Sequence, residues 1–342
     1  MANSQLFSLA FGIGTQNSKG EWLEVWFPAP RFGPARADVQ ALLDVLGHTE
    51  GNADYALDDA TCEALATVAD GDEAAALRAF GSSDKPAVAT VLETDDELGS
   101  TPQTYLKLHL LSHRFVLPNE MNLDGIFPLL PNVAWTNAGA IDLEELPARQ
   151  LEARVAGTPL HVHCVDKFPR MADYVVPSGV RIADASRARL GAYIGEGTTV
   201  MHEGQINFNS GCIGPNMIEG RISQGVTVGK GSDLGGSAST AGTLSGGGSI
   251  VISVGEECLV SANAGTGIPL GDRCTIEAGL YITPGTVVQV LDEERNFVKQ
   301  VKARELAGQH DMLFIRNSQT GIVECRTNKR AIALNETLHA NN

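Results

Sequence analysis

The sequence predicts an α/β region at the N-terminus, then a parallel β-helix built from hexapeptide repeats, then a small β segment at the C-terminus. The main observation is an aliphatic or small residue at every sixth position from Val176 to Ile206, in a pattern that resumes further along. A second observation is that most of the excess among the 37 glycines falls in the same stretch, where tight corners need positive φ. The third is that residues 1–110 show the apolar spacing of strands and helices in turn.

The repeat region is predicted to be a coil because a period of six fits neither an α-helix, at about 3.6 residues, nor a single strand, at about two. It fits a triangular coil in which each side turns one residue inward, so that three hexads complete one turn. The predicted inward residues are Val176, Ile182, Ala188, Ile194, Val200 and Ile206, then Ile222, Val228 and Leu234, then Val254 and Val260, then Leu270, Ile276, Ile282 and Val288. A coil domain is therefore expected over residues 174–289.

The segment ahead of the coil is predicted to contain an α/β domain, residues 1–110. Its strands are expected in LFSLAFGIGT, EWLEVWF and KPAVATVLE, and its helices in ADVQALLDVLG, DDATCEALATVAD and DEAAALRAFG. A further amphipathic helix is expected over TYLKLHLLSHRF, residues 104–115. Residues 111–173 then form a connecting segment, with one helix predicted over DLEELPARQLEARVAG.

The C-terminal segment, residues 290–342, is predicted to be a small β structure. QVLDEERNFVKQVKA is expected to form a hairpin, and LFIRNSQTGIVECRT two more strands around a glycine-containing turn. Basic residues concentrate there: Lys299, Lys302, Arg304, Arg316, Arg326, Lys329 and Arg330. The net charge of −16 argues against nucleic acid or an anionic membrane as partner, whereas this local basic patch could hold a small anionic substrate.

The composition indicates a soluble cytoplasmic protein. Hydrophobic residues make up 43% of the chain and charged residues 19%, and no apolar run approaches the roughly 20 residues that span a bilayer. The N-terminal sequence MANSQLFSLAFGIG lacks the basic region of a signal peptide. The six cysteines show no CxxC spacing, which favours reduced thiols inside the cell.

Two stretches are predicted to interrupt the hexads. NFNSGCIGPNM, residues 207–217, is expected to break the six-residue register, and SASTAGTLSGGGSI, residues 237–250, is a long insert of small residues. Loops carried on a rigid scaffold are where binding residues concentrate. Because the two stretches lie within one or two turns of each other, we expect them to form a shared site.

The repeat by itself leaves several functions open. Left-handed coils of hexapeptides are often used by trimeric acyltransferases that take thioesters, which is an analogy at the level of the fold. Acceptors such as a sugar or another amine stay possible on this ground, as does a non-enzymatic scaffold, although a scaffold would not require the two inserts. A zinc enzyme such as a γ-class carbonic anhydrase needs three histidine ligands. Residues 174–288 contain only His202, with His161 and His163 ahead of them.

Longer strings are more specific than the repeat. They are VMHEGQINFNSG (200–211), MIEGRISQGVTVGKGSDLGG (217–236), GTLSGGG (242–248), SANAGTGIPLGD (261–272), IEAGLYITPGT (276–286), VKARELAG (301–308) and LFIRNSQTG (313–321). These strings resemble the tetrahydrodipicolinate N-succinyltransferases. LKLHLLSHR (106–114) and IFPLLPNVAWTN (126–137) are similar to the longer form of pseudomonads and actinobacteria. The resemblance covers most of the chain from about residue 100 to 340, plus LFSLAFGIGT, and implies a left-handed parallel β-helix.

The resemblance implies transfer of the succinyl group of succinyl-CoA to the amino group of L-2-amino-6-oxopimelate, the ring-opened form of tetrahydrodipicolinate. This step belongs to the diaminopimelate route to lysine. The chemistry needs a base for the ammonium proton, N–H donors for the oxyanion, and Arg or Lys for the carboxylates. No cofactor is expected for the chemistry itself. A homotrimer with active sites shared between neighbouring subunits is expected, because the flat apolar faces of the coil would otherwise be exposed to water.

Glu219, in IEGR, matches the catalytic acid of the family, acting as general base or as a nucleophile through an acyl-anhydride. Gly242 matches a glycine whose N–H could stabilise the oxyanion. Arg221 is expected on the same side as Glu219, by alternation along a strand, where it suits a substrate carboxylate. Positions that match the acyl-CoA contacts of the family are Gly236, Ser239, Ala262, Glu277, Ala278, Gly285, Lys302, Arg316, Asn317 and Ser318.

Glu203, in MHEG, matches a metal ligand of the actinobacterial members, whose partner is an Asp earlier in the coil. This chain has Ser186 at that register and Asp184 two residues before it. A bound Mg²⁺ would therefore rest on Glu203 residues from three subunits near the trimer axis. Ile315 stands where some members carry a second Arg.

Overall fold

The computed structural model describes residues 4–242 and 250–327. The chain divides into two compact units. The first takes residues 1–110, 121–169 and 173–175, and the second takes residues 111–120, 170–172 and 176–342. In the described residues no helix is both long and apolar enough to cross a membrane.

The first unit contains an antiparallel sheet covered by helices. Its strands are β1 Ser8–Gln16, β2 Trp22–Trp26, β3 Arg31–Phe32, β4 Ala53–Leu57 and β5 Ala87–Leu92, in the order β2-β1-β5-β4 with β3 beside β1. Its helices are α1 Arg36–Leu46, α2 Asp59–Val68 and α3 Gly71–Gly81. The Asp58 side chain caps α2 by accepting a hydrogen bond from the Thr61 N–H. The strands and helices predicted in this part of the chain are confirmed.

Helix α4, Thr101–Ser112, confirms a predicted helix but not its amphipathic character. Every residue from Pro102 to Ser112 is buried, including Lys107 and His109. The ammonium group of Lys107 is stabilised by the Asp95 carboxylate and by two backbone carbonyls, which offset the cost of burying its charge.

The remaining elements of the first unit are α5 Ile126–Leu129, β6 Val133–Thr136, β7 Gly139–Asp142, α6 Leu146–Val155 and β8 Val162–Asp166. Strands β7, β6 and β8 form an antiparallel sheet in that order.

Residues 181–282 of the second unit, called the repeat region below, form short parallel strands in three sheets. The first sheet contains β9 Arg181–Ile182, β11 Thr199–Val200, β14 Met217–Ile218, β17 Asp233–Leu234, β20 Leu259–Val260 and β22 Thr275–Ile276. The second contains β12 Gln205–Ile206, β15 Arg221–Ile222, β18 Ser239–Thr240, β21 Gly265–Thr266 and β23 Tyr281–Ile282. The third contains β10 Ala192–Ile194, β13 Ser210–Cys212, β16 Thr227–Val228 and β19 Ser253–Val254. The chain visits the three sheets in rotation.

The inward positions follow the predicted period with two corrections. Val176 was expected to point inward, but its side chain is 71% exposed and the first strand begins at Arg181. The stretch 207–217 was expected to break the register, but Ile206, Cys212 and Ile218 keep the spacing of six and are fully buried. Cys212 substitutes for an aliphatic residue there, and burial raises the pKa of its thiol to about 11, so it stays protonated.

The register changes instead just after this stretch, between Ile218 and Ile222. Both residues point inward although they are four positions apart instead of six, because only Glu219 and Gly220 lie between β14 and β15. Thr199 pairs with Met217 across a full turn, whereas Ile218 pairs with Leu234 across a turn that is two residues shorter. In the second predicted insert, Ser239 and Thr240 form β18, Gly242 is described, and residues 243–249 lie outside the described part of the chain.

The C-terminal strands confirm the predicted hairpin and strand pair. Strands β24 Val287–Leu291 and β25 Phe297–Lys302 pair antiparallel, as do β26 Met312–Arg316 and β27 Val323–Thr327. Strand β26 also pairs in parallel with β22, so it adds to the first sheet of the repeat region. This pairing places Arg316 beside the end of the repeat region.

Candidate active site

The corners that lead from the first sheet to the second hold six of the predicted site residues. In four turns this corner has four residues, 201–204, 235–238, 261–264 and 277–280. Only Glu219 and Gly220 form the corner after β14. Predicted site residues in these corners are Glu203, Glu219, Gly236, Ala262, Glu277 and Ala278. The corner after β14 is two residues shorter than the other corners of this edge, and Glu219 is one of its two residues; we call this short corner the notch.

Gly236 lies close to two carboxylates, those of Glu203 and Glu219. A Cβ atom on Gly236 would lie 3.5 Å from Oε2 of Glu219 and 3.9 Å from Oε2 of Glu203. The Ser237 hydroxyl donates a hydrogen bond to Oε2 of Glu203 at 3.2 Å. The Glu219 side chain is half-buried, and its backbone N–H donates to the Leu234 carbonyl at 2.8 Å. The absence of a side chain at Gly236 keeps the space between the two carboxylates open.

Gly220 allows the short corner to close. A Cβ atom at this position would lie 2.6 Å from the carbonyl oxygen of Ala238 and 3.0 Å from its Cβ. That carbonyl accepts a hydrogen bond from the Arg221 N–H at 2.8 Å, which fixes the start of β15. Only glycine therefore permits the chain to turn immediately after Glu219.

Arg221 and Ser239 lie next to each other on the outer face of the second sheet. They are partners in the parallel register of β15 and β18, and the Arg221 side chain is exposed. The prediction that alternation along one strand places Arg221 with Glu219 is wrong, because Glu219 is a corner residue and the strand starts at Arg221. In the described residues no ion pair joins Arg221 to Glu219.

Gly242, Gly285 and Lys302 lie near the corner that follows the second sheet. The Ala241 N–H donates to the Thr266 carbonyl, and the Gly267 N–H donates to the Ile282 carbonyl, so these corners stack on successive turns. The residues after Lys302 return to this corner, since the Ala303 N–H donates to the Thr286 carbonyl and the Arg304 N–H to the Pro284 carbonyl. Gly285 has open space where a Cβ atom would lie.

Arg316, Asn317 and Ser318 lie at the end of β26. The Arg316 backbone N–H donates to Oε2 of Glu277 at 2.8 Å, so the tail joins the corner of Glu277 and Ala278. The Asn317 amide is engaged in its own turn, because its Oδ1 accepts from the N–H groups of Gln319 and Thr320 and its Nδ2 donates to Glu324. Arg316 and Ser318 are exposed, whereas the Asn317 side chain holds the turn in shape.

Glu324 supports this turn, and a pH effect is expected from it. Hydrogen bonds from Asn317 and Arg326 hold the pKa of the buried Glu324 carboxyl below its usual value of 4.5. Because the folded-state pKa is the lower one, its stabilisation is present above about pH 4.5 and is lost as the pH falls through the lowered pKa. Glu324→Gln should therefore unfold at a lower temperature than wild type at pH 7, with a difference that shrinks toward pH 3. A difference independent of pH in thermal unfolding would contradict this role.

Within the part of the chain that the structure describes, Glu203 is not in a metal site. In the described ranges no group of three or more His, Cys, Asp or Glu side chains is arranged to hold a metal ion. The Asp184 carboxylate is engaged by the N–H and hydroxyl of Ser186, which lower its pKa. The described donors of a single chain therefore do not form a site for a metal ion, and no chemical step below depends on one.

Two features of the site were not predicted, the short corner at Gly220 and the Ser237 hydroxyl on Glu203. The first had a signal in the sequence, because Ile218 and Ile222 are four residues apart where the repeat requires six. The second had none, since a hydrogen bond between corners of different turns depends on how the turns stack.

Comparison with known proteins places these features in a family. Residues 130–170 match the family model described as the middle region of tetrahydrodipicolinate N-succinyltransferase, and residues 251–284 match the hexapeptide repeat of succinyl-transferase. Curated proteins named 2,3,4,5-tetrahydropyridine-2,6-dicarboxylate N-succinyltransferase are 62% identical over 99% of this chain and 100% of the Pseudomonas paraeruginosa protein, and 55% identical over 98% of this chain and 99% of the Vibrio cholerae protein.

A solved structure agrees with the sequence matches. The Campylobacter jejuni protein described as a 2,3,4,5-tetrahydropyridine-2-carboxylate N-succinyltransferase superposes with a TM-score of 0.89 and 31% sequence identity. The match covers 97% of this chain and 94% of that one. The likeness therefore extends over both compact units.

Proposed function

The chain belongs to the tetrahydrodipicolinate N-succinyltransferase family, and from this premise we propose how its site carries out the reaction. The enzyme is an acyltransferase that moves the succinyl group of succinyl-CoA to the amino group of L-2-amino-6-oxopimelate, the ring-opened form of tetrahydrodipicolinate. The products are N-succinyl-L-2-amino-6-oxopimelate and CoA, in the diaminopimelate route to lysine. The observation that carries the proposal is the two-residue corner, or notch. There the Glu219 carboxylate lies beside Gly236, which has no side chain to fill the space next to it.

The chemistry starts with a proton transfer. The acceptor nitrogen is protonated as an ammonium group, and it becomes a nucleophile only after it loses a proton. Glu219 takes this proton in one form of the mechanism, and the amine then attacks the thioester carbonyl carbon to form a C–N bond. In the other form, the Glu219 carboxylate attacks first and carries the succinyl group as an acyl-anhydride, and the departing CoA thiolate takes the ammonium proton. The amine then attacks the anhydride carbonyl carbon, the C–O bond to Glu219 breaks, and Glu219 is released as its carboxylate. In both forms the C–S bond breaks and CoA leaves as its thiolate.

The remaining site residues are assigned to binding. The tetrahedral intermediate develops negative charge on the carbonyl oxygen, and we assign the Gly242 N–H to stabilise it. Arg221, exposed on the second sheet, is assigned to a carboxylate of the acceptor or of the succinyl group. The small residues Gly236, Ala262 and Ala278 lie in successive corners and leave room for the arm of CoA along this edge.

The basic residues at both ends of the C-terminal strands are assigned to the phosphates of CoA. Lys302 is exposed near the corner of Gly285, and Arg316 is exposed near the corner of Glu277. Fixed cations of this kind offset the repulsion that a chain of net charge −16 exerts on an anionic donor. Ser318 offers a hydroxyl group near Arg316, and Ser239 offers one beside Arg221.

Assembly and location are further parts of the proposal. We propose that the three sheets close into a left-handed parallel β-helix and that three chains form a homotrimer in the cytoplasm. The chemistry is proposed to use no cofactor. Because the described residues of one chain form no metal site, a Mg²⁺ bound by Glu203 would require the three copies of that residue to meet on the trimer axis.

Release of CoA from succinyl-CoA, with tetrahydrodipicolinate generated in situ, tests the function. We expect rapid turnover with succinyl-CoA and much slower turnover with acetyl-CoA, since only the succinyl group carries a carboxylate for a fixed cation. The same preparation should have the mass of three chains by light scattering at micromolar concentration. A folded trimer that releases no CoA with either donor would show that the acceptor is a different amine or a sugar.

A further inference from the structure

Tyr281 is an aromatic residue of the repeat region that the proposed mechanism does not use. In the parallel register of the second sheet it follows Arg221, Ser239 and Gly265 on successive turns. Each of these residues stands one position before an inward residue, so all four face outward from the same side. Tyr281 therefore shares one face with two residues that are assigned to substrate binding.

The ring of Tyr281 packs against Gly265. A Cβ atom on Gly265 would lie 2.3 Å from Cε2 and 2.5 Å from Cδ2 of the ring, so any side chain there would displace the ring. Gly265 is buried as a result, although its position in the strand faces outward. The ring thus extends back across the sheet, in the direction of Ser239, instead of standing away from the surface.

A large part of the Tyr281 side chain remains exposed. Tyr281 is 43% exposed, which is unusual for a large aromatic residue with one face packed on the backbone. It lies between the corner of Glu277 and Ala278, which precedes it, and the corner of Gly285, which follows it. Both corners are assigned to the acyl donor. An exposed aromatic surface between two parts of a binding site suits an apolar group of the same ligand.

We propose that Tyr281 binds the acyl donor, with the pantetheine arm of CoA lying against its ring on the way to Glu219. The proposal rests on the proposed function, and it adds a residue that determines donor affinity. The face from Tyr281 to Arg221 covers three strand spacings, or roughly 14 Å, a length over which an extended arm can lie. The gem-dimethyl and methylene groups of that arm would cover the exposed side of the ring.

The test compares Tyr281→Ala and Tyr281→Phe in the full-length protein. CoA itself is the probe in calorimetric titrations, and steady-state kinetics give KM for succinyl-CoA and for the acceptor. Tyr281→Ala should weaken CoA binding and raise the donor KM by about fivefold to tenfold, with the acceptor KM changed less than about twofold. Tyr281→Phe keeps the ring and should resemble wild type. Phe297→Ala, which removes another exposed aromatic ring in β25, is the matched control and should bind CoA normally.

The outcomes separate this inference from the proposed function. Unchanged CoA binding in Tyr281→Ala would overturn it, and so would a smaller mass by light scattering, which would place Tyr281 in a contact between copies of the chain. If wild type does not acylate tetrahydrodipicolinate but binds CoA through Tyr281, the inference is supported and only the proposed acceptor is wrong. Equal loss in Phe297→Ala would also overturn it, because the effect would then not be specific to this face.

Discussion

Glu219→Gln should lower kcat by about a thousandfold while KM for succinyl-CoA stays within about twofold of wild type. The amide has nearly the shape of the carboxylate, so the notch should keep its form, but it can neither accept the ammonium proton nor carry the succinyl group. A thousandfold loss corresponds to about 4 kcal/mol of transition-state stabilisation. The measurement is CoA release under saturating donor and acceptor.

The control for this variant is Glu256→Gln, which makes the same change of charge at an exposed corner outside the site. It should turn over like wild type.

A second experiment, in which wild type is mixed with succinyl-CoA but no acceptor, distinguishes the two roles of Glu219. A burst of about one CoA per site would indicate the acyl-anhydride, and no burst would indicate a general base. Activity of Glu219→Gln near the wild-type level would remove Glu219 from the mechanism.

The architecture of the repeat region could be predicted because a coil with three sides imposes a period of six residues on the sequence. Each side of the coil turns one residue inward, so the core positions recur at a spacing that neither a helix nor a lone strand produces. Cys212 escaped this reasoning because its neighbours Asn207, Asn209, Gly214 and Pro215 look like a loop. A thiol is small and apolar enough to occupy an inward position, and the flanking polar residues lie in corners.

The site was predictable in its residues but not in its geometry. Glu219 and Gly236 were identified from strings of sequence, but their closeness depends on the length of the turn that separates them. Asn317 is a different case: its type suits a phosphate contact, but its amide instead holds its own turn by hydrogen bonds with residues close in the sequence. Hydrogen bonds between residues of different turns have no local pattern in the sequence, so side-chain partners cannot be assigned from it.

Gly220→Ala should damage both stability and catalysis, because the added methyl group has no room. Its Cβ would lie 2.6 Å from the Ala238 carbonyl oxygen, a distance that only movement of backbone can relieve. Overpacking of this kind costs about 1–3 kcal/mol of unfolding free energy. The movement also strains the hydrogen bond from the Arg221 N–H and shifts Glu219, where a displacement of about 1 Å can cost a hundredfold in rate.

The two effects of Gly220→Ala can be separated. Thermal unfolding should show the loss of stability, and kcat/KM measured well below the new transition temperature should still be about a hundredfold lower. Gly285→Ala adds the same methyl group where nothing lies within 4 Å and φ is ordinary, so its unfolding temperature should match wild type. If Gly220→Ala kept full activity, the two-residue corner would not position Glu219. The notch would then be a consequence of how the turns stack, and the catalytic assignment would rest on the carboxylate alone.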